Sequence, residues 1–343
     1  MDPAALSAPF RSIGRRVAAT TLGFAALATV TCLLAPLVGS TPLNLSRALD
    51  PSIPFADNVD AQIFFIARLP RVVAGALVGG ALAAAGVVFQ ALLRNPLATP
   101  FTLGVSAGAS LGAMLVITFN LDVAIWHVTA VPMASFAGSL GAVAIVYGLA
   151  RARHQGLSTT VLLLAGVTLN SFFSAMIIAL QFFADVSQTF RTVRWLMGDL
   201  DVASYAPILD ALPFVLAAFG AFAMLPRALN LLTLGSEAAE GRGVDVLRIQ
   251  RIAFFSASLA TGAAVSLGGP IGFIGIIVPH LVRLLVGADH RVVLPASIFF
   301  GAAFLVACDV AARTLIPPLE LPVGVLTAMI GGPFFLWLLI RKS

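Results

Sequence analysis

The sequence is poor in charged side chains. Only 10% of its 343 residues are Asp, Glu, Lys or Arg, whereas 59% are hydrophobic. A soluble domain carries about 25% charged residues, so this chain cannot cover a water-facing surface. Its apolar runs are continuous and do not alternate, which indicates membrane-spanning helices and excludes a membrane β-barrel.

Cysteine and lysine are nearly absent. The two cysteines, Cys32 and Cys308, lie in apolar runs and give neither a disulfide framework nor a cysteine-based metal site. The one lysine, Lys342, is the penultimate residue. A Walker A loop needs a lysine directly after its glycine-rich turn. If ATP drives this protein, another polypeptide must therefore bind the ATP and its Mg²⁺, and we expect no cofactor in this chain.

Motifs for catalysis or metal binding are also missing. The sequence has no H-E-x-x-H and no G-x-S-x-G, and its four histidines are scattered: His127, His154, His280 and His290. Asp309 and Arg313 are four residues apart, which predicts a local ion pair on one helix. A secondary transporter or an intramembrane enzyme would need buried carboxylates or a polar catalytic set, so both are the weaker alternatives.

Ten apolar segments are candidates for membrane spans, each needing roughly 20 residues. The first is too long for the apolar region of a signal peptide, and we expect it to be an uncleaved span. The pair around Gly268, Gly269 and Pro270 could instead form one long kinked segment. The predicted spans are 17–39, 64–93, 101–121, 124–150, 159–184, 206–226, 251–268, 272–287, 292–315 and 321–340.

The basic residues predict the orientation of these spans. With ten spans and a cytoplasmic N-terminus, six arginines fall on the outer side and the remaining 14 of the 20 basic residues fall inside, as the positive-inside rule requires. Because they lie in short loops between spans, they are topology signals and not a nucleic-acid surface. We expect both termini in the cytoplasm. The outer arginines are Arg47, Arg68, Arg71, Arg191, Arg194 and Arg313.

Two cytoplasmic connections carry unusual patterns. Residues 94–110 read RNPLATPFTLGVSAGAS, where Pro96 and Pro100 prevent a helix from continuing. Gly104, Ser106 and further small residues then follow on the next span. In the connection 226–251, the segment EAAE (237–240) predicts a short helix that Gly241 and Gly243 terminate. An ordinary turn and an ordinary solvated loop are the alternatives.

The chain closely resembles the FecCD-type permeases of bacterial ABC importers, which import iron–siderophore complexes, haem and cobalamin. The matching segments follow one another in order from the second predicted span to the tenth. They are RLPR (68–71), FQALLRNPLATP (89–100), LGVSAGAS (103–110), STTVLLLAGV (158–167), RWLMGDL (194–200), LGSEAAEGRGV (234–244), GFIGIIVPHLVR (272–283), DHRVVLP (289–295) and ELPVGVLTAMIGGPFFLWLL (320–339).

The resemblance implies an all-α polytopic membrane protein with ten transmembrane helices and the type II ABC importer permease fold. It implies a homodimer in the bacterial inner membrane with a central translocation path. Two cytoplasmic ABC ATPase subunits and one periplasmic substrate-binding protein would complete the importer. The cargo would be a metal chelate that moves by alternating access, with an iron–siderophore complex or haem favoured and cobalamin as the other candidate.

The resemblance also implies roles for particular residues. The positions of a cytoplasmic gate are matched by Asn95, Leu97, Thr159 and Thr160. Coupling helices at about 229–246 would contact the ATPase through Leu234, Gly235, Glu237, Ala238, Ala239, Gly243 and Val244. Here the chain departs from the family, because Ser236 replaces a usual acidic residue and Arg242 replaces a usual leucine.

On the outer side, Arg68, Arg71 and Arg313 match positions that receive glutamates of the binding protein. Exposed ion pairs of this kind would orient and steer the partner; the alternative is that Arg68 and Arg71 anchor a helix end at the headgroups. The predicted translocation path includes Ser106, Phe182, Phe183, Phe190 and Trp195. The four aromatic residues could instead belong to a lipid-facing belt.

Overall fold

The computed structural model describes residues 3–121, 124–125, 128–151, 159–202 and 204–341, and these residues are predominantly helical. His127, His154, Lys342 and part of the predicted fourth span lie outside them. The helices are α1 Pro3–Leu34, α2 Leu45–Ala48, α3 Val59–Gln62, α4 Leu69–Leu92, α5 Val105–Thr118, α6 Ala130–Arg151, α7 Thr159–Phe183, α8 Val186–Leu196, α9 Ala206–Met224, α10 Pro226–Leu232, α11 Ser236–Glu240, α12 Val246–Gly268, α13 Ile274–Val286, α14 His290–Thr314 and α15 Val323–Arg341.

The remaining regular structure is short. A π-helical segment, Ile63–Arg68, connects α3 to α4. There are two 3₁₀ turns: Ala35–Leu37 follows α1, and Pro100–Leu103 precedes α5. Strands β1 (Ala124–Ile125) and β2 (Val128–Thr129) pair antiparallel between α5 and α6. Apart from this small hairpin, the predicted all-α fold is confirmed for the described residues.

Each of the ten predicted spans contains an apolar helix. Among the described residues, seven helical segments are long and apolar enough to cross a membrane, and three further apolar helices are shorter. The short ones are α5, α13 and α15. The all-helical membrane architecture therefore matches the prediction, while ten complete crossings stay a prediction. The fourth segment begins as a helix only at Ala130, because β1 and β2 occupy part of its predicted start.

The chain breaks between the seventh and eighth predicted spans. Helix α12 ends at Gly268 and α13 begins at Ile274. Gly269 has a φ of +66°, which glycine adopts without a Cβ penalty, and Pro270 cannot continue a helix. The alternative of a single long kinked segment is therefore not what forms.

Helix α4 lies at the centre of the bundle, packed against α9, α12, α13 and α14. Of its most apolar window, 83% is buried within the chain. Small residues permit this packing: a Cβ on Gly79 would overlap the carbonyl oxygen of Gly301 in α14, and a Cβ on Gly86 would overlap that of Gly275 in α13. Close backbone approach through small residues is the usual way in which membrane helices pack.

Several other helices keep large apolar faces uncovered. Only 28% of the apolar window is buried in α7 and in α9, and only 6% in α1. Such faces need lipid or another protein subunit, because contiguous exposed apolar surface is unfavourable in water. The bundle therefore has a tightly packed interior around α4 and a periphery that a membrane or a partner must cover.

Candidate functional site

The predicted gate loop begins where α4 ends. Arg94 adopts a left-handed backbone conformation with φ +48°, and the side chain of Asn95 accepts a hydrogen bond from the backbone N–H of Leu97 at 2.9 Å. The side chain of Thr99 then caps the 3₁₀ turn that begins at Pro100. The prediction that the prolines stop the helix is confirmed, and the loop is an ordered segment whose polar side chains fix its backbone.

The four predicted gate residues occupy two connections. Asn95 is half-buried and Leu97 is 37% exposed. Thr159 is the first residue of α7 and half-buried, and Thr160 beside it is exposed. Within the described part of the chain, no hydrogen bond joins Asn95 to either threonine. A gate formed by these residues therefore stays a prediction.

A contact that the sequence did not reveal ties the end of the gate loop to α7. Asn170 in α7 donates from Nδ2 to the carbonyl oxygen of Phe101 at 2.8 Å. Gly166, one turn earlier, lies so close to Thr102 and Leu103 that a side chain there would overlap their backbone. Displacement of α7 would therefore act directly on the 3₁₀ turn of the gate loop.

The predicted coupling segment forms two short helices, α10 and α11, joined by a turn. Gly235 has a φ of +115°, a conformation that few residues other than glycine adopt. Leu234 is 64% exposed and Glu237 is exposed, whereas Ala239 is fully buried against the bundle. The prediction of a short helix is confirmed. One edge of this segment is thus attached to the protein and the other is free for a partner.

The end of α11 is fixed by backbone contacts. The N–H of Val244 donates to the carbonyl oxygen of Ala239 at 3.1 Å, and Gly243 has a φ of +81°. Arg242, which replaces the usual leucine, donates from Nη1 to the carbonyl oxygen of Ala238 at 3.0 Å. The departure from the family thus adds a contact within the segment and leaves its backbone intact.

Helix α10 is attached to the start of α14. Asn230 donates to Asp289 at 2.7 Å and accepts from the backbone N–H of His290 at 2.9 Å. Hydrogen bonds from Arg291 and Asn230 hold the pKa of the Asp289 carboxyl well below its usual range. Residues of the DHRVVLP segment therefore form a charged anchor that connects the coupling segment to a long membrane helix.

The three arginines predicted to dock the binding protein are buried. Arg68 is 5% exposed, Arg71 7% and Arg313 2%. The expectation that they form an exposed basic surface is therefore wrong. The physical reason is that the chain itself supplies at least one acceptor to each guanidinium, which offsets part of the cost of burying the charge.

An ion cluster accounts for this burial. Arg71 in α4 donates from Nε to Oδ1 of Asp309 in α14 at 2.9 Å and from Nη1 to Oε2 of Glu320 at 2.7 Å. Arg313 lies 3.6 Å from Asp309, as the four-residue spacing predicted. Arg68 donates to the carbonyl oxygens of Pro36 and Thr41. The sequence revealed the Asp309–Arg313 pair but not the arginine that reaches it from α4.

Basic charge is exposed at Arg194, on the side predicted to face outward; its side chain is 58% exposed and pairs with Asp201 at 3.2 Å. Arg191, Arg194 and Trp195 line an open cavity of about 470 Å³ that extends to Gly268 and Gly269 at the end of α12. The sequence predicts Trp195 on the path, but it predicts no role in the path for the two arginines beside it. Their separation by three residues on a helix was the available signal.

The predicted path residues divide into two groups. Phe182, Phe183 and Phe190 are 86%, 74% and 70% exposed, and Trp195 is half-buried. Ser106 is only 6% exposed, because α5 packs closely on α6 and α7. A role for Ser106 in the path therefore stays a prediction.

The described residues contain no group of three or more His, Cys, Asp or Glu side chains that could hold a metal ion. The ion cluster around Arg71 has carboxylates, but each of them faces an arginine. These residues can stabilise charge across helices, yet the described chain offers no ligand set for direct metal coordination.

Comparisons with known proteins agree with this architecture. The family model described as the FecCD transport family matches residues 27–341. The chain is 40% identical over 283 residues to the hemin transport system permease protein HmuU of Yersinia pestis, with 82% of this chain and 84% of that protein covered. It is 45% identical over 276 residues to the cobalamin import system permease protein BtuC of Halobacterium salinarum, with 79% and 72% covered.

A solved structure matches nearly the whole chain. The match has a TM-score of 0.81 and 31% sequence identity, and it covers 94% of this chain and 99% of the other. That structure is described as an inward-facing conformation of a metal-chelate type ABC transporter. Fold and sequence therefore both match permeases of ABC transporters.

Proposed function

The chain belongs to the FecCD transport family and is the permease subunit of an ABC importer; from this premise we propose that two copies form a path that carries a metal chelate into the cytoplasm. The observation that carries the proposal is the coupling segment. Its fully buried Ala239 attaches it to the bundle, and its exposed Leu234 and Glu237 are free for a partner. Such a segment suits an ATPase subunit that pushes on the membrane helices.

The proposed mechanism is ATP-driven alternating access. Two cytoplasmic ATPase subunits bind ATP and Mg²⁺ and close on each other, which displaces the coupling segments. Asn230 transmits this displacement to α14 through Asp289 and the backbone of His290. The permease itself is a non-catalytic membrane component, and the gate at Asn95, Leu97, Thr159 and Thr160 opens to the cytoplasm as the two halves rock.

We propose a homodimer because the uncovered faces need a partner as well as lipid. Helix α7 and the following α8 expose Phe182, Phe183 and Phe190. Aromatic side chains offer large apolar area at low cost in conformational entropy, which suits a bulky chelate that must slide without being gripped. The binding protein would deliver this cargo at the outer end of the path.

We propose that docking of the binding protein begins at a residue other than the three arginines that the resemblance implies. Glu320 is 40% exposed at the rim of the ion cluster and covers Arg71. A carboxylate of a binding protein would have to displace Glu320 to reach that arginine. Arg194 is already exposed, and we propose that it makes the first contact, with Arg68, Arg71 and Arg313 holding the outer helix ends in place.

The cargo class rests on the family. Relatives are named for the transport of hemin and of cobalamin. In both compounds the chelating ligand fills most coordination positions of the metal. A permease for such cargo needs no metal ligands of its own. We favour an iron complex or haem for this chain, in the inner membrane of a bacterium, with both termini in the cytoplasm.

Assembly of the complex tests the proposal. The chain is co-expressed with an ABC ATPase from the same genome and purified, and the mass of the complex is determined by native mass spectrometry. We expect two permease chains and two ATPase chains, with ATP hydrolysis that the binding protein stimulates. A stable permease that never associates with an ATPase would contradict the proposal.

A further inference from the structure

A cavity of about 320 Å³ opens on the inner side between the gate loop and the coupling segment. It lies where the C-terminal ends of α4 and α13 meet the start of α14. Its wall includes Arg94, Asn95, Thr233, Arg283 and His290. The transport mechanism described above gives this cavity no occupant, although Asn95 and His290 in its wall belong to elements that the mechanism moves.

The cavity is basic, and its charge is not neutralised by the protein. No carboxylate lines it, and within the described residues neither Arg94 nor Arg283 makes an ion pair, in contrast to Arg71 and Arg313 on the outer side. The nearby Asp289 already accepts hydrogen bonds from Arg291 and Asn230. A half-buried guanidinium without a counter-ion is unfavourable unless an anion reaches it from outside.

A buried amide holds Arg283 in place. Gln90 is 4% exposed and donates from Nε2 to the carbonyl oxygen of Gly275 at 2.9 Å. Its Oε1 accepts from Nη1 of Arg283 at 2.5 Å. The remaining donors of Arg283 have no acceptor among the described residues. The guanidinium is therefore oriented by the fold, and its free donors suit the paired oxygens of a phosphate.

The depth of the cavity indicates where an anion would come from. Three apolar helices end around it: α4 at Leu92, α13 at Val286 and α14 at His290. The ends of apolar helices lie where the hydrocarbon core gives way to the headgroups. Phosphate groups are concentrated in that layer, and basic pockets between helices on the cytoplasmic side bind anionic headgroups.

We propose that this cavity binds a phosphate group, held by Arg94 and Arg283, which bridges the gate loop and the coupling segment. The phosphate belongs to an anionic phospholipid headgroup or is free in the cytoplasm. Arg94 precedes the gate residue Asn95 and also donates to the hydroxyl of Ser236 in α11 at 3.2 Å. Thr233 lines the cavity from the turn after α10. An occupant therefore stabilises one relative position of these two elements.

Binding is measured on the purified full chain without ATPase, so the outcome is independent of the transport function. One arm uses mixed micelles with phosphatidylglycerol or phosphatidylcholine, and native mass spectrometry gives the lipid retained per protein. The other arm titrates inorganic phosphate and follows the thermal unfolding midpoint. The variants are Arg94→Gln and Arg283→Gln. Arg227→Gln is the matched control, because Arg227 is an exposed arginine in α10 that does not line the cavity.

We expect the wild type to retain phosphatidylglycerol over phosphatidylcholine, and each cavity variant to weaken retention about tenfold through the loss of a charge-assisted hydrogen bond. The control keeps the wild-type preference. If the lipids are retained equally but phosphate raises the wild-type midpoint and not that of Arg94→Gln, the site takes free phosphate.

Three results would overturn the proposal. The first is no lipid preference together with no effect of phosphate. The second is a preference that both cavity variants retain, and the third is a control that loses as much as Arg94→Gln. Should Arg283→Gln fail to fold, Arg94→Gln decides alone, since Arg94 is exposed.

Discussion

Nε of Arg71 lies 2.9 Å from Oδ1 of Asp309, which joins α4 to α14 near their outer ends. Both side chains are buried, and Asp309 is only 1% exposed. On the inner side the same two helices are in contact with the coupling segment, through Arg94 after α4 and Asp289 before α14. The central pair of helices thus has a fixed outer end and an inner end that partners can reach.

Asp309→Asn is expected to destabilise the protein strongly. The substitution leaves the guanidinium of Arg71 with one charged partner fewer, and the loss of one member of a buried pair costs about 3–5 kcal/mol. Thermal unfolding in detergent should show a clearly lowered midpoint. Asp201→Asn removes the exposed partner of Arg194 and should cost about 1 kcal/mol or less. Equal effects of the two substitutions would contradict the structural role of the pair.

Gly86→Ala is expected to disrupt packing between α4 and α13. A methyl group there would overlap the backbone of Gly275, and overpacking of this kind costs about 1–3 kcal/mol. Gly141→Ala is the matched control, because no atom lies within 4 Å of its added Cβ; it should be neutral or stabilise α6 by up to about 1 kcal/mol. The comparison is made by thermal unfolding, and a stable Gly86→Ala variant would argue against the close approach.

The double variant Asn95→Ala and Thr159→Ala is expected to uncouple ATP hydrolysis from transport. If these residues form the cytoplasmic gate, its loss leaves the path open while the ATPase still turns over. Reconstituted importer should then hydrolyse ATP at a rate near that of the wild type with at least several-fold less chelate taken up per ATP. Thr168→Ala, an exposed threonine further along α7, serves as control. Unchanged coupling in the double variant would reduce the segment to a structural turn.

Leu234→Asp is expected to weaken assembly with the ATPase while the permease stays folded. Leu234 is 64% exposed, so the fold does not depend on it, whereas an unpaired carboxylate buried at an interface is strongly unfavourable. Co-purification should recover much less ATPase than with the wild type. Arg151→Asp, which changes an exposed residue at the end of α6 outside the coupling segment, should leave recovery near the wild-type level. Full recovery with Leu234→Asp would exclude this contact.

Composition and periodicity were sufficient for the fold class because helices in lipid must satisfy their own backbone, which leaves long apolar runs as a direct signal. The breaks at Pro96, Pro100 and Pro270 were predictable because proline lacks the backbone N–H that the interior of a helix needs. Contacts between distant segments were not. No spacing in the sequence relates Arg71 to Asp309, or Gln90 to Arg283, because these pairs depend on how α4 packs against α13 and α14.

The solvent exposure of single residues could not be predicted from the sequence either. Arg68, Arg71 and Arg313 stand near predicted outer helix ends, where arginines usually reach solvent, yet the fold brings carboxylates and backbone carbonyls to them. Ser106 lies on a small-residue face that would suit a path, but the same small residues allow α5 to pack against α6. In both cases the groups that surround these side chains come from distant parts of the chain, which the local sequence does not predict.

Uptake by reconstituted importer tests the central claim most directly. Proteoliposomes contain the chain with its ATPase, with ATP inside, and the binding protein is added outside with haem, a ferric siderophore or cobalamin. The account predicts that at least one chelate accumulates, and that accumulation requires ATP, the ATPase and the binding protein together. Accumulation that an ion gradient drives without the ATPase would contradict it.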